Sequence, residues 1–364
     1  MAADPAPVIH WGFHEEEEAM KALVYYGPGK RSWEDVPEPD VQEPEDAVVR
    51  VDGFTICGTD LHILRGDVPE VQSGRVLGHE AVGTVTEVGP GVRTVRAGDR
   101  VLMSCISSCG RCRFCREGRY GQCLGGGGWV LGHLIDGVQA EQVRIPFADG
   151  SVHVLPDSIG DEAALMFADI MPTSYEVGVL NGGVRPGDTV VIVGAGPIGL
   201  AAVQTARLFS PLRIVVVDPV ESRRAAALSF GADVALSPED DVVGAVRELT
   251  GGLGADVAIE AVGLPATFDL TVAVVRAGGR VANVGVHGKP TTLHLEDLWI
   301  RDVTITTGLV DTATTPTLLQ LVGAGKLDAA RLVTHRFGFD EVPEAYDVFD
   351  DPGSTGALKV AVLR

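Results

Sequence analysis

The run Gly194-Ala195-Gly196-Pro197-Ile198-Gly199 most constrains what this chain can fold into. It has the spacing G-x-G-x-x-G and directly follows the apolar stretch Thr189-Val190-Val191-Ile192-Val193. Such a glycine pattern alone is weak. Here a strand precedes it, and the segment Ile198 to Leu208 that follows reads as a helix. Gly194 permits a tight turn, Gly196 lets backbone N–H groups approach a pyrophosphate, and Gly199 allows close packing of helix on strand. Pro197 and Ile198 complete a helix N-terminus that faces phosphate charge. Asp218 ends the next strand, 19 residues beyond Gly199. A carboxylate there hydrogen-bonds two ribose hydroxyls and repels a 2′-phosphate, so NAD is expected over NADP. Arg223 nearby is a basic group able to offset that repulsion in part.

Strand and helix alternate on either side of this turn. Arg213 to Val217, Val257 to Val262 and Arg280 to Val284 read as apolar strands, with a helix at Ser222 to Phe230. This predicts a doubly wound parallel sheet covered on both faces, an α/β architecture. Residues 20–172 differ: short strands such as Ala47-Val48-Val49-Arg50-Val51, Gly83 to Val88 and Asp99 to Leu102 alternate with Gly, Pro and Asp turns. That pattern suggests a small β-barrel. The last residues, from Leu332 to Arg364, look like helix plus strand returning to this first part. At 364 residues the chain is long enough for two domains.

Residues 1–19 stand apart, with Asp4-Pro5-Ala6-Pro7 and the run Glu15 to Glu18. They read as a solvated tail. A second reading is genetic: GAG-GAG glutamate codons spell a ribosome-binding sequence, so a Glu run before Met20 fits a leader read as protein. The net charge of −21 repels nucleic acid and anionic membranes. No apolar run approaches the roughly 20 residues of a membrane span, and no secretory signal is visible. A cytoplasmic location is expected.

Five of the six cysteines lie close together. Cys109-x-x-Cys112-x-x-Cys115 with Cys123 offers four thiolates, which satisfy tetrahedral zinc and leave no open position, so the role is structural. An iron–sulfur cluster or free thiols are the alternatives. Cys105 reads as a spare thiol. Upstream, Cys57-Gly58-Thr59-Asp60-Leu61-His62 and Gly78-His79-Glu80 supply Cys57 and His79, both suited to zinc. A catalytic zinc needs three protein ligands and an open position, so a third must come from elsewhere. His287, His294 and His335 have no motif around them and read as structural.

These motifs together resemble the zinc-containing alcohol dehydrogenases of the medium-chain dehydrogenase/reductase superfamily. The resemblance runs from Met20 to Arg364 and includes Gly78-His79-Glu80-Ala81-Val82-Gly83, Gly98-Asp99-Arg100-Val101, the four-cysteine lobe, Asp136-Gly137-x-x-Ala140-Glu141 and the glycine turn. It implies a GroES-like catalytic domain over 20–172 and 310–364, with its zinc lobe at 105–124, interrupted by a Rossmann domain over 173–309. It implies two zinc ions per chain, NAD, and a small alcohol, aldehyde or ketone as substrate. Cys57, His79 and Asp169 would hold the catalytic zinc. Asp169 stands where many relatives place a cysteine, and resembles a branch of secondary-alcohol dehydrogenases that often uses NADP. Glu80 would ligate or move the metal. Thr59 would accept the alcohol proton and pass it toward His62 through the cofactor ribose. Thr173, Val262, Val284, Val286 and Leu309 would border the nicotinamide, Lys359 would meet the cofactor's phosphates, and Trp129 would line the substrate pocket. A homodimer or homotetramer is expected. A polyol or formaldehyde dehydrogenase is the rival within the superfamily. A non-catalytic NAD(P)H-binding relative is the rival outside it, disfavoured by the joint presence of Cys57, His79 and Asp169.

Overall fold

A computed structural model describes residues 19–364. The expectations for residues 1–18 lie outside the described residues. Ala19 already pairs with Pro37, so the first strand begins one residue earlier than its apolar pattern indicates. The chain runs through β1 (Ala19–Tyr25), β2 (Arg31–Pro37), β3 (Ala47–Thr55), β4 (Arg75–Val76), β5 (Ala81–Val88), β6 (Arg100–Met103), β7 (Gln142–Ile145) and β8 (Val152–Val154). It then enters β9 (Thr189–Val193), β10 (Arg213–Val217), β11 (Val234–Leu236), β12 (Ala255–Glu260), β13 (Val275–Asn283) and β14 (Thr304–Thr307). It closes with β15 (Val333–Phe337) and β16 (Lys359–Leu363).

The second group forms one parallel sheet in the order β11-β10-β9-β12-β13-β14. All five residues of β9 are buried, as are the last four of β10, because helices cover both faces. Each buried Val or Ile contributes about 1.5–3 kcal/mol relative to exposure. Strand order reverses between β9 and β12, which opens a crevice at the carboxyl ends of the strands. The glycine turn sits at that point. Gly194 has φ +104°, a region open to glycine. A Cβ on Gly199 would lie 1.8 Å from the Gly194 carbonyl oxygen, so only glycine lets the helix Pro197–Arg207 sit this close.

The remaining strands form two sheets, β2-β1-β4 and β15-β16-β3-β5-β6-β8, with β7 paired to β3. They enclose one core that includes Leu23, Val49, Phe54, Ile63, Leu77, Met103 and Tyr346. The chain's end returns as the alternation indicates, and β16 pairs antiparallel with β3. A second core joins the two halves: Ala164 to Ala168, Ile170 and Met171 pack with Val82 and Leu102 on one side and Val190 and Ile192 on the other.

Two features were not legible in the local pattern. Three of the four residues of β14 are threonine, which hides it, and it forms the sheet's edge. The segment Ser174–Leu180 is a π-helix. Its Glu176 carboxylate accepts from the backbone N–H groups of Asp311, Thr312 and Thr314 at 2.8, 3.0 and 2.8 Å. One side chain therefore ties the outgoing crossing between the domains to the returning one.

Candidate active site

Four side chains from three separate segments meet in one cluster. Cys57 N-caps the helix Gly58–Arg65, His79 and Glu80 precede β5, and Asp169 precedes the short helix Ile170–Thr173. One ligand atom from each lies within 4.8 Å of all the others. His79 Nε2 is 3.5 Å from Asp169 Oδ2. Burial disfavours the imidazolium, but the neighbouring Asp169 carboxylate and Cys57 sulfur outweigh it and hold the His79 pKa well above its ordinary value. Asp169 is shifted the other way: burial would raise it, and pairing with His79 lowers it. Thr173 donates a hydrogen bond to Asp169 Oδ1 and fixes its direction. His79 Nδ1, Asp60 Oδ1 and Glu80 Oε1 are buried without a partner. Soft sulfur, imidazole and carboxylate packed this tightly, with orphaned polar atoms around them, fit a zinc ion.

Lys359 is not where the sequence reading expects it. Its ammonium donates to Glu80 Oε2 and to the Ile56 carbonyl, and the side chain is 2% exposed. Glu80 also accepts from Thr55. The lysine neutralises the buried carboxylate beside Cys57, His79 and Asp169. Contact with cofactor phosphates is corrected to this buried pairing.

Thr59 and His62 lie three residues apart on the helix Gly58–Arg65 and so share a face. Thr59 Oγ1 is 3.6 Å from the Cys57 sulfur. His62 Nδ1 is 2.8 Å from Asp67 Oδ2, and the imidazole is partly exposed. This places a hydroxyl near the Cys57 sulfur and a partly exposed imidazole on the same helix face.

Trp129 stands edge-on to His79, with ring centroids 6.1 Å apart, and stacks on His133 at 4.2 Å. It also packs on an apolar cluster of Cys105, Ile106, Val177 and Val310, which draws on both domains. Cys105 is buried there, and burial followed by the Asp169 charge pushes its thiol well up. A neutral thiol suits the spare role read from the sequence.

Cys109, Cys112, Cys115 and Cys123 converge, with their sulfurs within 4.8 Å of one another. Backbone N–H groups aim at them: Cys115 and Leu124 donate to Cys112 at 3.5 and 3.4 Å, and Cys109 and Gly125 donate to Cys123 at 3.4 Å each. The Cys115 and Leu124 N–H groups bring Cys112 down to about 6. Burial, then the neighbouring Cys112, pushes Cys115 up to about 12. Four thiols this close cannot all ionise unaided, which is the electrostatic condition that a bound cation relieves.

In the cleft above the sheet, a Cβ on Gly196 would meet no protein atom within 4 Å. The space that a pyrophosphate needs is open. Asp218 is 4% exposed, and its two oxygens accept from Ala195 N and Val220 N, both at 2.8 Å. It therefore braces the glycine turn as well as standing at the strand end. Arg224, not Arg223, is tied in place here, donating to the Asp218 and Pro219 carbonyls at 2.8 Å each. Val262, Val286 and Leu309 are exposed, at 41%, 59% and 45%, and Val284 is half-buried.

Residues 43–157 match the alcohol dehydrogenase GroES-like domain, and residues 197–324 match the zinc-binding dehydrogenase family. An alcohol dehydrogenase of Cupriavidus necator is 38% identical over 94% of this chain and 98% of its own length. The chain belongs to the zinc-type alcohol dehydrogenases of the medium-chain superfamily. The zinc-dependent alcohol dehydrogenase 2 of Streptococcus pneumonia is 47% identical, with TM-score 0.91 over 95% of this chain and 98% of that one. A zinc-binding dehydrogenase of Sinorhizobium meliloti, solved with NADP, is 30% identical, with TM-score 0.84 over 95% of this chain and 100% of that one. The dehydrogenase is an enzyme that oxidises an alcohol, and no helix among its described residues is long and apolar enough to cross a membrane.

The sequence reading missed Glu260. This buried carboxylate ends β12 and accepts from Val262 N at 3.0 Å, Gly263 N at 2.9 Å and Thr267 Oγ1 at 2.7 Å. It shapes the turn that carries Val262 against Gly194. The signal was present: a charge closing the otherwise apolar strand Ala258-Ile259-Glu260.

Proposed function

We propose that Cys57, His79 and Asp169 hold the catalytic zinc of this alcohol dehydrogenase, that Cys109, Cys112, Cys115 and Cys123 hold a structural zinc, and that the cofactor is NAD. The convergence of Cys57, His79 and Asp169 from three distant segments carries the reading. Zinc at that site would polarise the alcohol oxygen and lower its pKa toward neutrality. The protein's part is to place, orient and relay. Thr59 accepts the alcohol proton, since a hydroxyl can both accept and donate. His62, on the same helix face and oriented by Asp67, passes it to solvent. Glu80 is a reserve ligand, held off the site by Lys359. Trp129 and the apolar cluster beside it favour an apolar alcohol over a polyol.

For the cofactor, Gly194, Gly196, Pro197, Ile198 and Gly199 receive the pyrophosphate. Thr173, Val262, Val284, Val286 and Leu309 border the nicotinamide. Asp218 selects the ribose. Each of its oxygens accepts one backbone N–H and keeps capacity for a ribose hydroxyl. A 2′-phosphate there meets like charge, a repulsion on the order of a few kcal/mol at intermediate dielectric. Arg224 is engaged with backbone carbonyls, which leaves Arg223 alone to offset it. Catalytic efficiency with NAD should exceed that with NADP by at least about tenfold, which requires only about 1.4 kcal/mol. Steady-state kinetics with both cofactors, across primary, secondary and polyol alcohols, tests this. Equal or better efficiency with NADP would overturn the cofactor assignment, and preference for polyols would overturn the pocket reading.

The chain should work in the cytoplasm as a homodimer or homotetramer. All six cysteines are free, as reducing surroundings keep them. Among the described residues the outer side of β14 is an unpaired edge, and Trp299 and Ile300 beside it are 76% and 70% exposed. An unpaired strand edge with exposed apolar side chains beside it suits a second copy.

A further inference from the structure

Polar groups around His79 continue deep into the catalytic domain. Asp60 is the third residue of the helix Gly58–Arg65. Its Oδ2 accepts from Cys57 N and from Gln139 Nε2, both at 2.9 Å. Gln139 Oε1 accepts from the Tyr346 hydroxyl at 2.7 Å. Asp60, Gln139 and Tyr346 are each 0% exposed. Asp60 Oδ1 has no hydrogen bond and lies 3.8 Å from His79 Nδ1, which has none either. The opposite nitrogen, Nε2, faces Asp169.

The chemistry of each group fixes this chain's direction. An ionised carboxylate only accepts, so the Gln139 amide must turn its NH₂ toward Asp60. The amide oxygen then faces Tyr346, whose hydroxyl must donate to it. Removing that hydroxyl leaves the buried amide oxygen without a donor, so the amide is held toward Asp60 from one end alone. A second contact joins Gln139 to the same site through the backbone. Gly78, which precedes His79, has φ +95°, and a Cβ there would lie 2.4 Å from Gln139 Cγ. Gln139 thus touches the His79 strand entry and also orients the carboxylate opposite the ring.

We propose that Gln139 and Tyr346 are positioning residues for the catalytic metal site: through Asp60 they hold the His79 ring with Nδ1 toward Asp60 and Nε2 toward Cys57 and Asp169. A carboxylate facing the far nitrogen of a ligating histidine, as Asp60 does at 3.8 Å, sets its tautomer and orientation, and losing such a partner typically weakens metal binding about 10–100-fold. Gln139 and Tyr346 act one and two bonds further out, so the effect should be smaller for Tyr346 than for Gln139.

The inference rests on zinc binding at Cys57, His79 and Asp169, and the test separates the two claims. The full chain is loaded with Co(II), and its absorption spectrum and the rate of metal loss to a chelator are read for both sites. Gln139→Met keeps the length and the contact with Gly78 but has no amide. Tyr346→Phe removes one buried oxygen and adds no volume. Gln139→Met should speed loss from the catalytic site by about tenfold and shift its spectrum, Tyr346→Phe by about threefold, and the four-cysteine site should be unchanged in both. Wild-type loss rates and spectra in both variants, even with lowered thermal stability, would overturn the proposal and leave the chain a folding element. If Gln139→Met does not fold, Tyr346→Phe decides alone. A wild-type chain that takes metal only in the cysteine lobe would overturn the metal site itself.

Discussion

Asp169→Ala is expected to strip the catalytic site of its metal while the cysteine lobe keeps its own. Asp169 is the sole anionic oxygen donor of the proposed set, and Thr173 aims it. With it gone, Cys57 and His79 offer two ligands where a catalytic zinc requires three. Loss of a supporting hydrogen bond already costs about 10–100-fold in affinity, so loss of a ligand should cost at least about a hundredfold, with turnover falling alongside. The free protein gives a second readout. Asp169 and Cys57 hold the His79 pKa high when no metal is bound, so zinc must displace that proton on entry. Zinc affinity should therefore rise with pH up to the His79 pKa, and uptake should release a proton. In Asp169→Ala the main support of the imidazolium is gone, so this proton release and its pH dependence should shrink. Metal analysis, steady-state turnover and proton release measured on the variant check all three. Wild-type zinc content and turnover would remove Asp169 from the site.

Cys112→Ser should empty the lobe, and the loss should be felt as stability. Among residues 109–124 only Cys115 is buried, so the lobe has no apolar core of its own. Its order depends on the four sulfurs. Cys112, brought down to about 6 by the Cys115 and Leu124 N–H groups, is a thiolate near neutral pH. A serine hydroxyl stays protonated there and ligates zinc poorly. Loss of a structural metal belongs to the mechanisms that destabilise by more than about 4 kcal/mol. The lobe also supports the cleft: Gly121 N donates to Asp311 at 2.8 Å, and a Cβ on Gly121 would lie 3.3 Å from Leu309. Cofactor binding should weaken along with thermal stability, while the catalytic zinc remains. Two tightly bound zinc ions in this variant, or an unchanged melting temperature, would contradict the role.

The parts of the site that were legible in the sequence are those built from neighbours. The glycine turn spans six residues, and the four cysteines of the lobe lie within one loop, so spacing reveals their clustering. Thr59 and His62 share a helix face for the same reason. The parts that were not legible depend on distant segments meeting. Glu176 reaches 135 residues along the chain to Asp311, and Tyr346 reaches 207 residues to Gln139. No local pattern encodes such a pairing. Lys359 shows the cost of transferring a role by likeness: a cation in the right strand was assigned to phosphates, yet its ammonium is buried against the Glu80 carboxylate. A buried charge takes the partner that offsets its own desolvation. Strand β14 was hidden because its threonines carry no apolar period, and as an edge strand it has a neighbour on one side only.

The most direct test removes zinc stepwise with a chelator and follows metal per chain and alcohol oxidation in the same samples. Zinc bound at Cys57, His79 and Asp169 leaves an open position, whereas the four cysteines enclose theirs, so the catalytic ion should leave first. The account predicts two zinc ions per chain at the start, loss of turnover in step with the first ion, and recovery when one equivalent is restored. Full turnover in a chain that retains only the lobe zinc, or none, would contradict it.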